Sequence, residues 1–189
     1  THTSESNGPI TAHRYGADYQ VNAISGRGIV RNYNGGAGAT LPTAYPSTVL
    51  DQSSHYEEAV WNPQIVVLAL GTNDFSTPLH PGERWKSREN LRSDYEATYL
   101  EFIQNLRSKF RDAFFILWAT DRADGEIQNE VEKVVAKLRA SGEQKVAFIP
   151  VNGLEMTACH WHPSSTDNLR IAEVLTEFID RHPELWRGR

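Results

Sequence analysis

The stretch "QIVVLALGTND", residues 64–74, decides how the rest of the chain is read. Residues 65–70 are apolar without interruption, and Ile65, Val66 and Val67 are β-branched. A strand with one wet face alternates apolar and polar residues. An unbroken apolar run of strand length instead fits a strand covered on both faces, as in a parallel sheet between helical layers. Two later runs have the same character: "AFFILWA", 113–119, and "KVAFIPV", 145–151. "DYQVNAI", 18–24, is a shorter strand candidate that runs into the glycine-rich "SGRG".

Amphipathic helices separate these runs. One is expected over roughly 93–109, with Ser93 and Glu96 as a capping box and Tyr99, Phe102, Ile103 and Leu106 on its apolar face. A second, about 126–140, carries Ile127, Val131, Val134, Val135 and Leu138 on one stripe and stops at Ser141 and Gly142. A third begins after Pro163 and buries Ile171, Ala172, Leu175, Phe178 and Ile179. Residues 5–15 read as the tail of another helix, closed by Gly16. The order predicts a single domain over 1–189 with a mostly parallel sheet between helices, a three-layer α/β/α sandwich.

Composition narrows the function classes. With 39% hydrophobic and 23% charged residues, the chain has the balance of a globular domain. A net charge of -5 argues against nucleic acid or an anionic membrane surface as partner. The longest apolar run is far too short to span a bilayer. The one cysteine excludes an internal disulfide and leaves the redox compartment open. The chain opens "THTSESNGP" without Met, the mark of a processed, truncated or fragment polypeptide.

In sheets of this kind, sites lie beyond the carboxyl ends of the strands. The chemically distinctive segments all fall there: "SGRG" after 18–24, "GTND" after 64–70, "TDRAD" after 113–119, and "NGLEMTACHWHP" after 145–151. Residues 25–47 form a long Gly-, Asn- and Pro-rich loop. Such loops are functional or merely mobile; Arg27, Arg31 and Tyr33 are its candidate ligand contacts. The set suits acyl transfer, which needs a nucleophile, a base and donors for an oxyanion. A histidine is the natural base, and a Gly N–H and an Asn amide are suitable donors. Pro163 would fix the chain beside His162 at a helix start. No Gly-x-Gly-x-x-Gly or P-loop pattern occurs, so no nucleotide cofactor is expected. His13, His55 and His80 are scattered and no metal is expected.

"ISGRGIVRNYNG" at 24–35, "GTNDFS" at 71–76 and Cys-x-x-His-Pro at 159–163, in that order, resemble the SGNH (GDSL-like) hydrolase superfamily, and most narrowly carbohydrate esterase family 2. The resemblance runs from about Gly16 to Phe178 and implies a flavodoxin-like fold and a carbohydrate acetyl esterase. It implies Gly26 and Asn73 as oxyanion donors, Asp74 as a brace for the loop, and His162 as the base. A saccharide substrate makes Trp161, Trp85 and Arg27 candidate binding residues, with Trp161 and Trp118 also open to a packing role.

The family's nucleophile comes from a Gly-Asp-Ser block after the first strand of the sheet, and this chain contains no Gly-Asp-Ser. The resemblance places that block upstream of Thr1. A companion polypeptide or upstream fragment is therefore expected to supply a sheet strand and the serine. Within the chain, Ser25 lacks the Gly-x-Ser-x-Gly context of a nucleophile elbow. Cys159 is chemically competent, but it stands where most of the superfamily carries the Asp of the triad. It could also be a buried thiol or pair with a cysteine elsewhere. A backbone carbonyl, Glu155 or Asp167 could then orient His162. The alternatives to an acetyl esterase are an inactive carbohydrate-binding module of the same fold and a general short-chain esterase. An extracellular location follows only from the implied polysaccharide substrate.

Overall fold

The computed structural model describes residues 3–47, 54, 56 and 61–186. Three strands form one parallel sheet in the order β1-β2-β3: β1 is Ile65–Leu68, β2 is Phe114–Thr120 and β3 is Val146–Val151. In register, Ile65 lies beside Phe114 and Phe115 beside Val146. The helices are α1 (Asn7–Arg14), α2 (Leu41–Ala44), α3 (Thr72–Phe75), α4 (Arg88–Lys109), α5 (Glu126–Ala140) and α6 (Ser165–Asp180).

β2 shows why three layers form. Phe115, Leu117 and Ala119 join the core under α4 and α5, with Tyr95, Tyr99, Phe102, Ile103, Val131 and Val134. Ile116 and Trp118 point the other way, into a second core with Ile149, Ile171, Leu175 and Ile179 of β3 and α6. This is the period-two consequence of a strand apolar on both faces. α1 packs on α6 outside the sheet. The sheet strands at 64–70, 113–119 and 145–151 and the helices at 126–140 and after Pro163 stand as the sequence predicts.

Two expectations are corrected. Residues 18–24 form no strand: they have no regular secondary structure, and Tyr19 and Val21 are exposed. A strand needs a hydrogen-bonded neighbour, and among the described residues none runs beside this segment. The helix expected from 93 starts at Arg88. Its cap is Ser87, whose hydroxyl accepts from Asn90 N. The earlier start brings Leu91 into the buried stripe and lets Arg88 and Arg92 pair with Glu126 on α5. Glu96 does not cap: it turns inward between helices and pairs with Lys137. Among the described residues, no helix is long and apolar enough to cross a membrane.

Candidate active site

The site is built by two loops at one edge of the sheet, and the first is held by Asp74. This residue sits on α3, directly after β1, and is fully buried. Its Oδ2 accepts from Ile29 N at 3.0 Å, and its Oδ1 from Val30 N and Arg31 N, both at 2.9 Å. Burial pushes its carboxyl up to about 6, against these three N–H donors, which favour the carboxylate. The brace that the resemblance implied is thus a clip on loop 25–38. Gly28 is what lets it close: a Cβ there would lie 2.1 Å from the Arg31 carbonyl oxygen and 2.6 Å from Asp74 Oδ2.

Arg31 is not a ligand contact. It is 1% exposed, and its guanidinium reaches away from solvent toward Glu83. Nε donates to Glu83 Oε2 at 2.6 Å and Nη2 to Oε1 at 2.8 Å. Nη1 and Nη2 take the hydroxyl of Thr77 and the carbonyl of Pro78, both at 2.8 Å. The bidentate hydrogen bonds from Arg31 hold the Glu83 carboxyl down at about 2. Glu83 also accepts from His80 N, so the loop after α3 is knotted to loop 25–38. Asn32 ties off the same loop by accepting from Gly28 N and donating to the Gly38 carbonyl.

This clamping sets the donors. Asn73, next to Asp74, gives one amide hydrogen to the Arg27 carbonyl at 2.9 Å and keeps the other. Gly26 takes a left-handed φ of +78° that glycine adopts without strain. Its carbonyl accepts from Tyr33 N at 2.8 Å, while its N–H donates to no group among the described residues. The two donors named from the sequence are therefore held together by the ties between α3 and loop 25–38.

The second loop presents His162. Its Nδ1 lies 2.9 Å from the Cys159 carbonyl oxygen. A carbonyl only accepts, so the ring proton is on Nδ1 and Nε2 keeps its lone pair. Nε2 in turn lies 3.5 Å from Ser25 Oγ, across 137 positions of sequence. A backbone carbonyl thus takes the orienting position. Asp167 is engaged elsewhere: it accepts from Glu155 N, Met156 N and Ser164 N, in a capping box that starts α6. Those N–H donors hold its carboxyl below the usual range despite the opposing effect of burial. The Glu155 side chain has no part in orienting the ring in this arrangement; its backbone N–H serves Asp167.

The turn carrying His162 is tight. Ala158 and His162 form an isolated antiparallel bridge around a single 3-10 turn. His160 and Trp161 both take positive φ, 55° and 61°, an unusual pair of non-glycine conformations. Consequently Trp161 is 78% exposed, which removes the packing reading of that residue. Cys159 is exposed, not a buried thiol. Trp118 is buried in the α6 core. Two of the predicted binding residues are occupied: Arg27 folds back to donate to the Ala37 carbonyl at 2.9 Å, and half-buried Trp85 donates to Asp94 at 2.8 Å with Arg84 over its ring. No cluster of three or more His, Cys, Asp or Glu suited to a metal occurs among the described residues; His55 lies outside them.

Sequence reasoning placed Gly26, Asn73, Asp74 and His162 at this edge and missed the Arg31–Glu83 tie and the Ser25–His162 approach. Both join residues dozens of positions apart by side-chain reach, and no local pattern signals that.

The sequence matches the GDSL-like Lipase/Acylhydrolase family over residues 1–175. It is 45% identical over 180 residues to an acetylxylan esterase / glucomannan deacetylase of Cellvibrio japonicus, spanning 95% of this chain and 50% of that one. A cellulase/esterase, CelE, of Acetivibrio thermocellus is 30% identical over 179 residues, 90% of this chain and 20% of that one. Among solved structures, a carbohydrate esterase whose active site displays divergent catalytic and non-catalytic binding functions superposes with a TM-score of 0.95 at 44% identity, over 98% of this chain and 57% of that chain. A family two carbohydrate esterase from Clostridium thermocellum in complex with cellohexaose gives 0.84 at 26% identity, over 97% and 56%. The chain thus spans half the length of the acetylxylan esterase and a fifth of the cellulase/esterase.

Proposed function

We propose, for a chain that belongs to the GDSL-like lipase/acylhydrolase family and is like carbohydrate esterase family 2 within it, that it carries the base and oxyanion donors of a carbohydrate acetyl esterase, while a serine outside residues 1–189 carries the acyl group. One observation supports this above the others: His162 Nε2, its lone pair fixed by the Cys159 carbonyl, faces the loop that bears Gly26.

The steps follow from that geometry. The serine oxygen attacks the acetyl carbonyl carbon as Nε2 takes its proton. The carbonyl oxygen gains charge and accepts from Gly26 N–H and the second Asn73 amide hydrogen. His162 then returns the proton to the sugar oxygen as the ester bond breaks. Water repeats the sequence on the acetyl-enzyme and releases acetate. The Cys159 carbonyl stabilises the protonated imidazole as a dipole, where a carboxylate would do so as a full charge. The substrate is an acetylated plant polysaccharide such as xylan or glucomannan, met outside the cell. The exposed indole of Trp161 offers a sugar-stacking platform beside the base. Arg27 and Trp85 would join it only by leaving Ala37 and Asp94.

The serine is to arrive on a strand laid along the free edge of β1, from a companion polypeptide or an upstream segment. Val67 of β1 is 39% exposed although the strand is wholly apolar. Residues 18–24 keep a strand's sequence and pair with no strand among the described residues. The main competing reading is a carbohydrate-binding module without chemistry, favoured by the same exposed Trp161. Acetate release decides between them. Acetylated xylo-oligosaccharides should be hydrolysed when the serine-bearing segment is present, long-chain esters should not, and His162→Ala should lower turnover by about 10²–10⁴-fold. Binding to the oligosaccharide without acetate release would sink the enzymatic reading.

A further inference from the structure

Among the described residues, Ser25 is the one hydroxyl set against His162, and the mechanism above leaves it unused. Its Oγ is 3.5 Å from His162 Nε2, longer than the roughly 2.8 Å of a direct O–H···N bond. Among the described residues it has no other hydrogen-bond partner. It immediately precedes Gly26, at the start of the loop that Asp74 clips at Ile29, Val30 and Arg31. The gap is too long for tight direct proton transfer and short enough for one water to touch both atoms.

We infer that Ser25 is the residue that holds the deacylating water, resting on the reading that the acyl group sits on a serine outside this chain. The water gives one hydrogen bond to His162 Nε2 and the other to Ser25 Oγ, which leaves its lone pair aimed at the acetyl carbon. In the step itself, the water oxygen forms the new C–O bond and its first proton passes to Nε2. The tetrahedral intermediate then collapses, the acyl–serine bond breaks, and Nε2 returns that proton to the leaving serine oxygen. Ser25 is unchanged throughout. It accepts a hydrogen bond from the second O–H of the water, whose proton stays on the product acid until that ionises in solvent. An alcohol acceptor has only one O–H to give, and it gives that to Nε2. Ser25 therefore favours water over alcohols, and makes the site a hydrolase in preference to a transacetylase.

The test uses the protein with its serine-bearing segment and p-nitrophenyl acetate as substrate, with methanol as the competing acceptor. In Ser25→Ala the initial burst, which reports acylation, should stay within about twofold, while steady turnover falls about tenfold. The ratio of methyl acetate to acetate should rise by a similar factor. Ser25→Thr, which keeps the hydroxyl, should restore both. Unchanged turnover and partitioning in Ser25→Ala would overturn the assignment. Labelling with a fluorophosphonate followed by peptide mapping separates the remaining outcomes. A lost burst with the label on another serine overturns the water-holding role and leaves the proposed function standing. A lost burst with the wild-type label on Ser25 itself overturns both.

Discussion

The two edges of the sheet are built differently. β3 is finished as an edge: Val146, Ala147, Ile149 and Val151 are buried, α5 and α6 pack on it, and Pro150 interrupts its outward hydrogen-bonding capacity. Proline on an outer strand is a usual way to stop further pairing. β1 has no such device. It reads Ile-Val-Val-Leu, with no proline, charge or bulge, and none of its four residues is fully buried. A flat apolar strand without protection is a liability when exposed and an asset when paired. The contrast teaches that β3 is built as an edge, whereas β1 has one strand neighbour among the described residues and none of the devices that close an edge. The candidate residues divide along the same line: His162 follows β3 and Asn73 follows β1. On the proposed reading the nucleophile is expected beyond the open edge of β1.

Truncations on the two sides should therefore differ most. Ile149→Ala in β3 should cost about 2–5 kcal/mol by denaturant unfolding, as for other buried core isoleucines. Val67→Ala in β1 should cost under about 1 kcal/mol on the chain alone, and clearly more once the serine-bearing segment is added. Equal costs at Val67 with and without that segment would erase the distinction between the edges.

A smaller effect tests whether the open side is ordered by its own clamps. Asp74 is raised from 3.8 to about 6 in the fold. Its acid form is therefore the one folding favours, and that contribution is full below pH 3.8 and lost as pH rises through about 6. At about 1.4 kcal/mol per pH unit of displacement, the upper limit is about 3 kcal/mol. Glu83 runs the other way, held at about 2, so its contribution is present above pH 4.5 and lost as pH falls toward 2. Stability against pH should thus lose its fall between 4 and 6 in Asp74→Asn, and lose part of its acid-side decline in Glu83→Gln. Parallel profiles for both variants would contradict the clamp description.

The smallest change in stability is expected at Trp161. Trp161→Ala should stay within about 0.5 kcal/mol of the parent, because the indole packs on little. Affinity for an acetylated oligosaccharide, measured by calorimetry, should nonetheless fall several-fold.

Much of this was legible in the sequence because it is periodic or punctuated. The runs at 64–70, 113–119 and 145–151 are strands since continuous apolar residues of that length have no other stable place. Asn73 and His162 lie in the segments that follow β1 and β3, where the order of elements puts them on one edge. The segment 18–24 failed for an instructive reason. Its composition suits a strand, yet pairing is a property of two segments, and only one is described. The start of α4 was misplaced because Ser93 and Glu96 imitate a capping box, while tertiary pairing of Arg88 and Arg92 with Glu126 carries the helix a full turn further back. The orienting carbonyl of Cys159 could be anticipated only as one option among several. Its selection depends on the bridge between Ala158 and His162, which no side-chain pattern encodes.

On the proposed reading, the nucleophile and its strand lie outside residues 1–189 while the base lies within them. Acetate release from acetylated xylo-oligosaccharides should be measured for the purified chain 1–189 alone and after addition of the serine-bearing segment. No release above background is expected from the chain alone, with full release on addition and loss of that activity in His162→Ala. Undiminished release from the chain alone, abolished by Ser25→Ala, would contradict that reading.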